Sequence, residues 1–286
     1  MKNVILCPNP VRDYKFEYTL KVYDILTKAG VDAIVCPLFE KYGAGTLPAG
    51  VKSGTLDEAI KKADMIIAFG GDGSILTAAR VSAPYNVPII GVNMGHKGFI
   101  AEFEKSDTDL IFKAVLGDYE IEKRMMLDIT LHRGGRRIHT DFFLNDAVVS
   151  GIARIINLSV YGDGREIYSF SGDGMIVATP TGSTAYSLSA GGPIVEPATE
   201  NIIITPICAH AFRARSMVLA AERMIEIKVG RLNNKSAYLA VDGGKSVNLR
   251  GGDVIRICKS SYTARLVHIP GRDFYKKVSE KFGEKQ

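Results

Sequence analysis

Four short apolar runs, at residues 3–7, 32–36, 64–69 and 88–92, fall in the first third of the chain with helix-length stretches between them. This rhythm constrains the fold more than any other feature of the sequence, because alternating strands and helices are the signature of a parallel sheet. The stretch 14–29 reads as a helix ended by Gly30, and 74–83 as another. Between them, Thr55 and Glu58 have the spacing of a capping box, which predicts a short helix running to Ala63. After about residue 118 the period changes. Runs at 128–131, 157–161, 224–229, 238–241 and 254–258 alternate with period two, as half-buried strands do. One helix interrupts them, starting within 181–189 after a strand at 175–178.

The expected architecture is an α/β N-terminal domain with a Rossmann-like parallel sheet, residues 1–118, and a β-rich C-terminal domain, residues 119–262. The tail, 263–286, packs back on the first domain in this reading. With 286 residues and 46% hydrophobic content, the chain can bury two cores. Its 36 basic and 31 acidic residues leave +5, with no block of like charge. That balance suits an anionic small molecule and argues against a nucleic-acid partner. The densest basic cluster, Arg133, Arg136 and Arg137 around Gly134 and Gly135, reads as a hairpin turn with solvated flanks. No stretch of eighteen apolar residues and no export signal appear, which predicts no membrane partner and a cytoplasmic location. Cys7, Cys36, Cys208 and Cys258 sit in or beside apolar runs and read as reduced core thiols. The five histidines never fall at metal-ligand spacing, so no protein-held metal is expected.

The first chemical motif is the GGDG turn at residues 70–73, between an apolar strand and a helix. Free N–H groups and the positive end of a helix dipole meet there, an arrangement phosphate oxygens favour. Gly71 and Gly73 let a phosphate approach the backbone. Asp72 is the anomaly, since a carboxylate repels that ligand; metal coordination, acceptance of a proton from an attacking hydroxyl, or capping of its own helix would each explain it. The turn is not a Walker A loop, for no lysine follows, and the GKS at 244–246 has Leu239 where that motif's first glycine belongs. No GxGxxG follows a strand, and no GxSxG elbow is present.

Three further segments share small and hydrogen-bonding residues: NMGHKGFIAE at 93–102, LND at 144–146 and SGDGMIVATPTGSTAYSLSAGGP at 171–193. In the last, hydroxyls and N–H groups at a helix start can meet a ribose or phosphate, and Tyr186 can lay its ring on a base. GGDG, NxGxxGF, an Asn-acidic pair and DGxxxxTPTGSTAYxxSAGGP, in this order, closely resemble the NAD kinase family over about residues 64–245.

The resemblance implies that Asp72 deprotonates the 2′-hydroxyl of the adenosine ribose of NAD, with ATP or another phosphoryl donor supplying the transferred group. Gly71 and Gly73 then contribute backbone to the nucleotide site. Asn145 and Asp146 hold the ribose and adenine, while Asp173, Thr184, Ala185, Tyr186, Ser187, Leu188 and Ser189 line the rest of the dinucleotide pocket. Phe99 is either a wall of that pocket or a core-packing residue, Arg154 either meets a diphosphate or is a solvated strand-end arginine, and His210 stands where the family carries a Pro-His pair, Ala209 replacing the proline. Lys97 and Gly244 are further departures from the family pattern. Mg2+ or another divalent cation is implied to arrive with the nucleotide, and a homo-oligomer is implied in which a neighbouring subunit completes the pocket. A GGDG-type kinase acting on a lipid or sugar hydroxyl and a non-catalytic dinucleotide sensor are the alternatives.

Overall fold

The computed structural model describes residues 2–39, 47–95, 98–210, 214–272 and 274–282. In chain order the first elements are β1 (Asn3–Pro8), α1 (Glu17–Lys28), β2 (Asp32–Val35), α2 (Leu56–Ala59), β3 (Met65–Gly70), α3 (Asp72–Ser82), β4 (Ile89–Asn93), β5 (Phe103–Glu104) and α4 (Thr108–Leu116). Next come β6 (Glu120–Arg133), β7 (Arg136–Phe143), β8 (Asp146–Gly151), β9 (Ile156–Gly162), β10 (Arg165–Gly172), β11 (Gly174–Ala178) and α5 (Tyr186–Ser189). The remainder are β12 (Asn201–Ile207), β13 (Met217–Ala220), β14 (Ile225–Val229), β15 (Ala237–Val241), β16 (Val247–Leu249), β17 (Val254–His268) and α6 (Phe274–Phe282). Two compact units result, residues 1–123 with 264–286, and residues 124–263.

The first unit is α/β. Its strands lie in the order β2, β1, β3, β4 and the C-terminal part of β17, all parallel, with Val4 opposite Met65, Ile66 opposite Ile89 and Leu266 opposite Ile89. β1, β3 and β4 are buried almost throughout. Strands covered on both faces must be apolar at every position, which is why they read as unbroken runs and not as alternations. On one face Leu6, Ile67, Phe69 and Val92 pack with Val22 and Leu26 of α1 and with Ile111, Ala114 and Val115 of α4. α3 is held close to the sheet at Gly91, where an added Cβ would come within 2.4 Å of Ile75 Cδ1.

The structure departs from two local expectations. The helix anticipated over 14–29 starts only at Glu17, because Lys15 and Phe16 take positive φ in a preceding 3-10 turn. Buried Asp13 organises its start, accepting the N–H groups of Tyr18 and Thr19 at 3.0 and 2.9 Å and the Thr19 hydroxyl at 2.6 Å. Thr55 makes no side-chain capping bond, and α2 gives way to a 3-10 turn after Ala59. With no buried residue in that helix, nothing fixes the box geometry. α4 was not anticipated, although Ile111, Ala114 and Val115 have helical spacing and all face the core.

The second unit is a sandwich of antiparallel strands. One sheet has the order β13, β12, β11, β8, β15, β16; the opposing layer contains β10, β9, β14 and β17 in that order, and the β6–β7 hairpin. Leu127, Leu158, Val160, Ile227 and Ile255 meet Val149, Met175, Val177, Ile204 and Leu239 in one core. The far face of the first-named sheet, with Val148, Ile176, Ala178 and Ile203, is covered by the 190–195 stretch through Ala190 and Val195. That cover carries α5.

Gly134 and Gly135 close the β6–β7 hairpin with φ of 56° and 76°, as a type I′ turn requires. Its flank is not merely solvated, since Arg133 makes a bidentate pair with buried Asp253 at 2.8 and 2.6 Å. Cys7 and Cys36 are buried and Cys258 is half-buried, but Cys208 is exposed: β12 stops at Ile207, and Cys208 turns outward with φ 46°. No helix among the described residues is long and apolar enough to cross a membrane.

Candidate functional site

In the first unit, parallel strands β1, β3 and β4 deliver the loops that follow them to one edge of the sheet, where ligands of α/β folds gather. β3 ends at Gly70, Gly71 is extended at φ −105° and ψ −169°, and α3 begins at Asp72. The opening turn of a helix has amides without partners inside the helix, and its dipole favours anions. Asp72 does not cap its own helix. Its Oδ2 accepts the Phe99 N–H at 2.8 Å, and its Oδ1 accepts those of Ile100 and Ala101 at 3.1 and 3.3 Å. Two carboxylate oxygens offer about four acceptor positions, so three amides orient the group and leave one position on Oδ2 open.

Two residues in this region escaped the sequence reading. The Asn9 amide donates to Ser74 Oγ at 3.2 Å. Arg12, exposed, lies against Gly95 so closely that an added Cβ there would come within 2.9 Å of its guanidinium. Among the described residues no carboxylate pairs with Arg12. The only signal that could have found either residue is position, since Asn9 directly follows β1 and Arg12 lies in the loop after it.

In the second unit, Asn145 and Asp146 enter β8. Asp242, at the end of β15 with φ 46°, accepts the N–H groups of Leu144, Asn145 and Asp146 at 2.9, 2.7 and 3.1 Å. Thr179 holds the same turn from the other side, its N–H on the Asn145 carbonyl at 2.9 Å and its hydroxyl on that of Leu144 at 2.5 Å. Only glycine fits at 182, where a Cβ would meet the Asn145 carbonyl oxygen at 2.0 Å. Within this clamp the Asn145 side-chain oxygen is buried without a hydrogen-bond partner. A buried acceptor without a protein donor is the kind of atom that an ordered water or a bound ligand satisfies.

Burial, together with the neighbouring Asp242 charge, pushes the Asp146 carboxyl up to about 7, against the Tyr186 N–H that favours its charged form. Tyr186 is 46% exposed, and its phenol is raised by partial burial and then by the nearby Tyr238, Cys208, Asp173 and Asp146. Asp173, exposed, accepts the Cys208 thiol. The structure therefore brings Asp146, Asp173 and Tyr186 into one polar neighbourhood.

The other anticipated residues are more scattered. The helix expected in 181–189 is a 3-10 turn, Thr181–Thr184, followed by α5 after a break at Ala185. Thr184 and Leu188 are half-buried and Ser189 is exposed, whereas Ser187 is fully buried with its hydroxyl on Thr205 at 2.9 Å. Ser187 thus fastens α5 to β12 and presents no hydroxyl outward. Arg154 is exposed beyond the far end of β8, separated from Asn145 by the six residues of that strand, about 20 Å. His210 is exposed, its N–H on the Ser171 carbonyl at 2.7 Å, and it lines a cleft of about 780 Å³ with Cys208, Ala209 and Arg215. Phe99 is half-buried beneath the Lys281 ammonium, 4.3 Å from its ring. Gly244 closes a turn on the Val241 carbonyl at 2.8 Å. Lys97 lies outside the described residues.

Among the described residues, Glu102, Glu122 and His268 alone bring three possible metal ligands within 4.8 Å. They do not fit a cation site, because the Glu102 carboxylate already accepts the Ile269 N–H at 3.0 Å, His268 Nδ1 at 3.0 Å and Lys277 Nζ at 3.2 Å.

An oriented aspartate at the glycine turn of a parallel sheet, with a clamped Asn-Asp pair on an antiparallel sandwich, defines the class: a phosphotransferase of the GGDG type. Residues 5–119 match the ATP-NAD kinase N-terminal domain and residues 145–269 the ATP-NAD kinase C-terminal domain. The NAD kinase of Natranaerobius thermophilus is 40% identical over 287 residues, covering 98% of each chain. Yeast NADH kinase complexed with NADH superposes with a TM-score of 0.87 at 25% identity, over 100% of this chain and 89% of that one. An NAD kinase from Archaeoglobus fulgidus in complex with ATP gives 0.73 at 25% identity, over 98% of both. The chain belongs to the NAD kinase family.

Proposed function

We propose that the protein transfers the γ-phosphoryl group of ATP to the 2′-hydroxyl of the adenosine ribose of NAD, giving NADP and ADP, with Asp72 as the base. The observation that carries this reading is the orientation of Asp72 by three consecutive amides, which take both positions of Oδ1 and one of Oδ2 and leave an acceptor for a hydroxyl proton. The hydroxyl proton passes to that carboxylate while the ribose oxygen bonds to γ-phosphorus. The bond from γ-phosphorus to the bridging oxygen breaks, and ADP departs with the electron pair. A placed base contributes roughly 10²–10⁴ in rate; positioning and neutralisation of phosphate charge supply most of the rest.

On the donor side, the opening turn of α3 and the Arg12 guanidinium suit the anionic phosphates. A divalent cation, which neutralises charge on those phosphates, comes with the nucleotide in this reading. On the acceptor side, Asn145 and Asp146 face the ribose and adenine, the orphan Asn145 oxygen accepting from the ligand. Tyr186 offers an exposed ring for stacking, and Asp173, Thr184, Ala185, Leu188 and Ser189 complete the surroundings. Phe99 belongs to the same reading through its amide on Asp72, and Arg154 and His210 have only peripheral parts. Homo-oligomeric assembly and a cytoplasmic location complete the proposal.

The test is NADP formation from ATP and NAD by the purified chain and by Asp72→Asn. The variant is expected to bind NAD and lose nearly all turnover. Retention of more than about a tenth of the rate removes Asp72 as base. Turnover with a lipid or sugar alcohol and none with NAD overturns the acceptor, and tight NAD binding without wild-type turnover makes the protein a sensor.

A further inference from the structure

The three amides that orient Asp72 are consecutive, Phe99, Ile100 and Ala101, so the direction of the carboxylate is only as well defined as that one short segment. Glu102 anchors it. The Glu102 side chain is 6% exposed, and among the described residues its carboxylate is bonded from the C-terminal stretch: by the Ile269 N–H at 3.0 Å, His268 Nδ1 at 3.0 and 3.1 Å, and Lys277 Nζ at 3.2 Å. The Glu102 carbonyl accepts the Arg272 guanidinium, which also forms a bidentate pair with Asp107 at 2.8 and 2.9 Å. Lys277 reaches one step nearer the aspartate, to the Phe99 carbonyl at 3.4 Å. One side of residues 99–102 thus holds Asp72, and the other is gripped by residues 268–277.

We infer that Glu102, with Lys277 of α6, is a positioning residue for phosphoryl transfer, fixing the amides that aim Asp72. The inference rests on Asp72 being the base. A nearly buried carboxylate shared among a lysine ammonium, an imidazole and an amide is stiff, since each partner loses its bond to the anion if the segment shifts. Displacing a catalytic group by about 1 Å can cost on the order of 10²-fold in rate. NAD affinity depends on the segment far less, because apart from Phe99, whose ring lies beneath the Lys281 ammonium, the groups assigned to the dinucleotide lie between residues 145 and 210.

Glu102→Gln and Lys277→Met, each in the full chain and also combined with Asp72→Asn, test this. Lys277 is the second variant because its side chain is 19% exposed and α6 can keep its fold without the charge. With Asp72 present, each change is expected to lower kcat roughly 10- to 100-fold and to move the KM for NAD by less than about twofold. Lys277→Arg should restore most of the loss. On the Asp72→Asn background neither change should lower the residual rate further. Equal losses on both backgrounds, or unchanged kcat in both single variants, overturns the positioning role while leaving the base intact. Full activity of Asp72→Asn alone overturns the base instead.

Discussion

Gly98 faces the Asp72 carboxylate so closely that a Cβ at position 98 would stand 1.9 Å from Oδ1 and 2.4 Å from the carboxyl carbon. The glycine is required by space, since its φ is not in the left-handed region. Gly98→Ala must push the carboxylate off the amides of 99–101, and kcat should fall by on the order of 10²-fold with the fold retained. Near wild-type kcat in a folded Gly98→Ala protein contradicts the close approach.

Arg12 provides a second, independent handle on the donor. Its guanidinium is settled on Gly95 without an ion-pair partner among the described residues, so a triphosphate is the natural counter-charge. Arg12→Met should raise the KM for ATP about tenfold and leave the KM for NAD unchanged, and the gap between variant and wild type should shrink with added salt. A change in the NAD KM alone would falsify the donor assignment.

Much of the first unit was legible because its physics is local. A strand buried on both faces has to be apolar at every position, and the runs at 3–7, 64–69 and 88–92 coincide with β1, β3 and β4. β10, β12 and β13 were passed over, since a sandwich strand announces itself only by the partner it pairs with. The turn at Gly134 and Gly135 was readable from two glycines, whereas the pairing of Arg133 with Asp253 joins residues 120 apart and left no local trace. Asp72 stood out as a carboxylate where phosphate is expected, but its partners at 99–101 were invisible, because backbone amides carry no residue signature. Asp242 was missed as a site residue for the same reason: its role is to gather three main-chain N–H groups.

That role makes Asp242 a sensitive position. An ionised carboxylate accepts all three amides, but asparagine presents an NH2 that opposes at least one of them. Asp242→Asn should cost about 2–3 kcal/mol in stability, the range for losing charge-assisted bonds in a buried turn. It should also raise the KM for NAD, because the displaced turn carries Asn145. A variant as stable as wild type in urea unfolding, with the same KM, removes Asp242 from the acceptor site.

The neighbouring Asp146 should make both stability and NAD binding depend on pH near neutrality. Burial and the Asp242 charge carry its carboxyl from the ordinary 3.8 to about 7. Between those values the folded chain holds a proton that the unfolded chain has already released, so stability falls as pH rises through that window, by on the order of a few kcal/mol in total. Below about 4 both states are protonated and this contribution no longer varies with pH; above about 7 the full cost of the buried charge is present. Asp146→Asn carries no titrating group, so urea midpoints at pH 5 and pH 8 should converge in the variant relative to wild type. Binding runs the other way. A ribose hydroxyl or adenine amino group donates better to the anion, so the KM for NAD should fall as pH rises through about 7 in wild type and stay flat in Asp146→Asn. Equal pH dependence of the two proteins in both measurements is inconsistent with a buried, proton-holding Asp146 in the acceptor site.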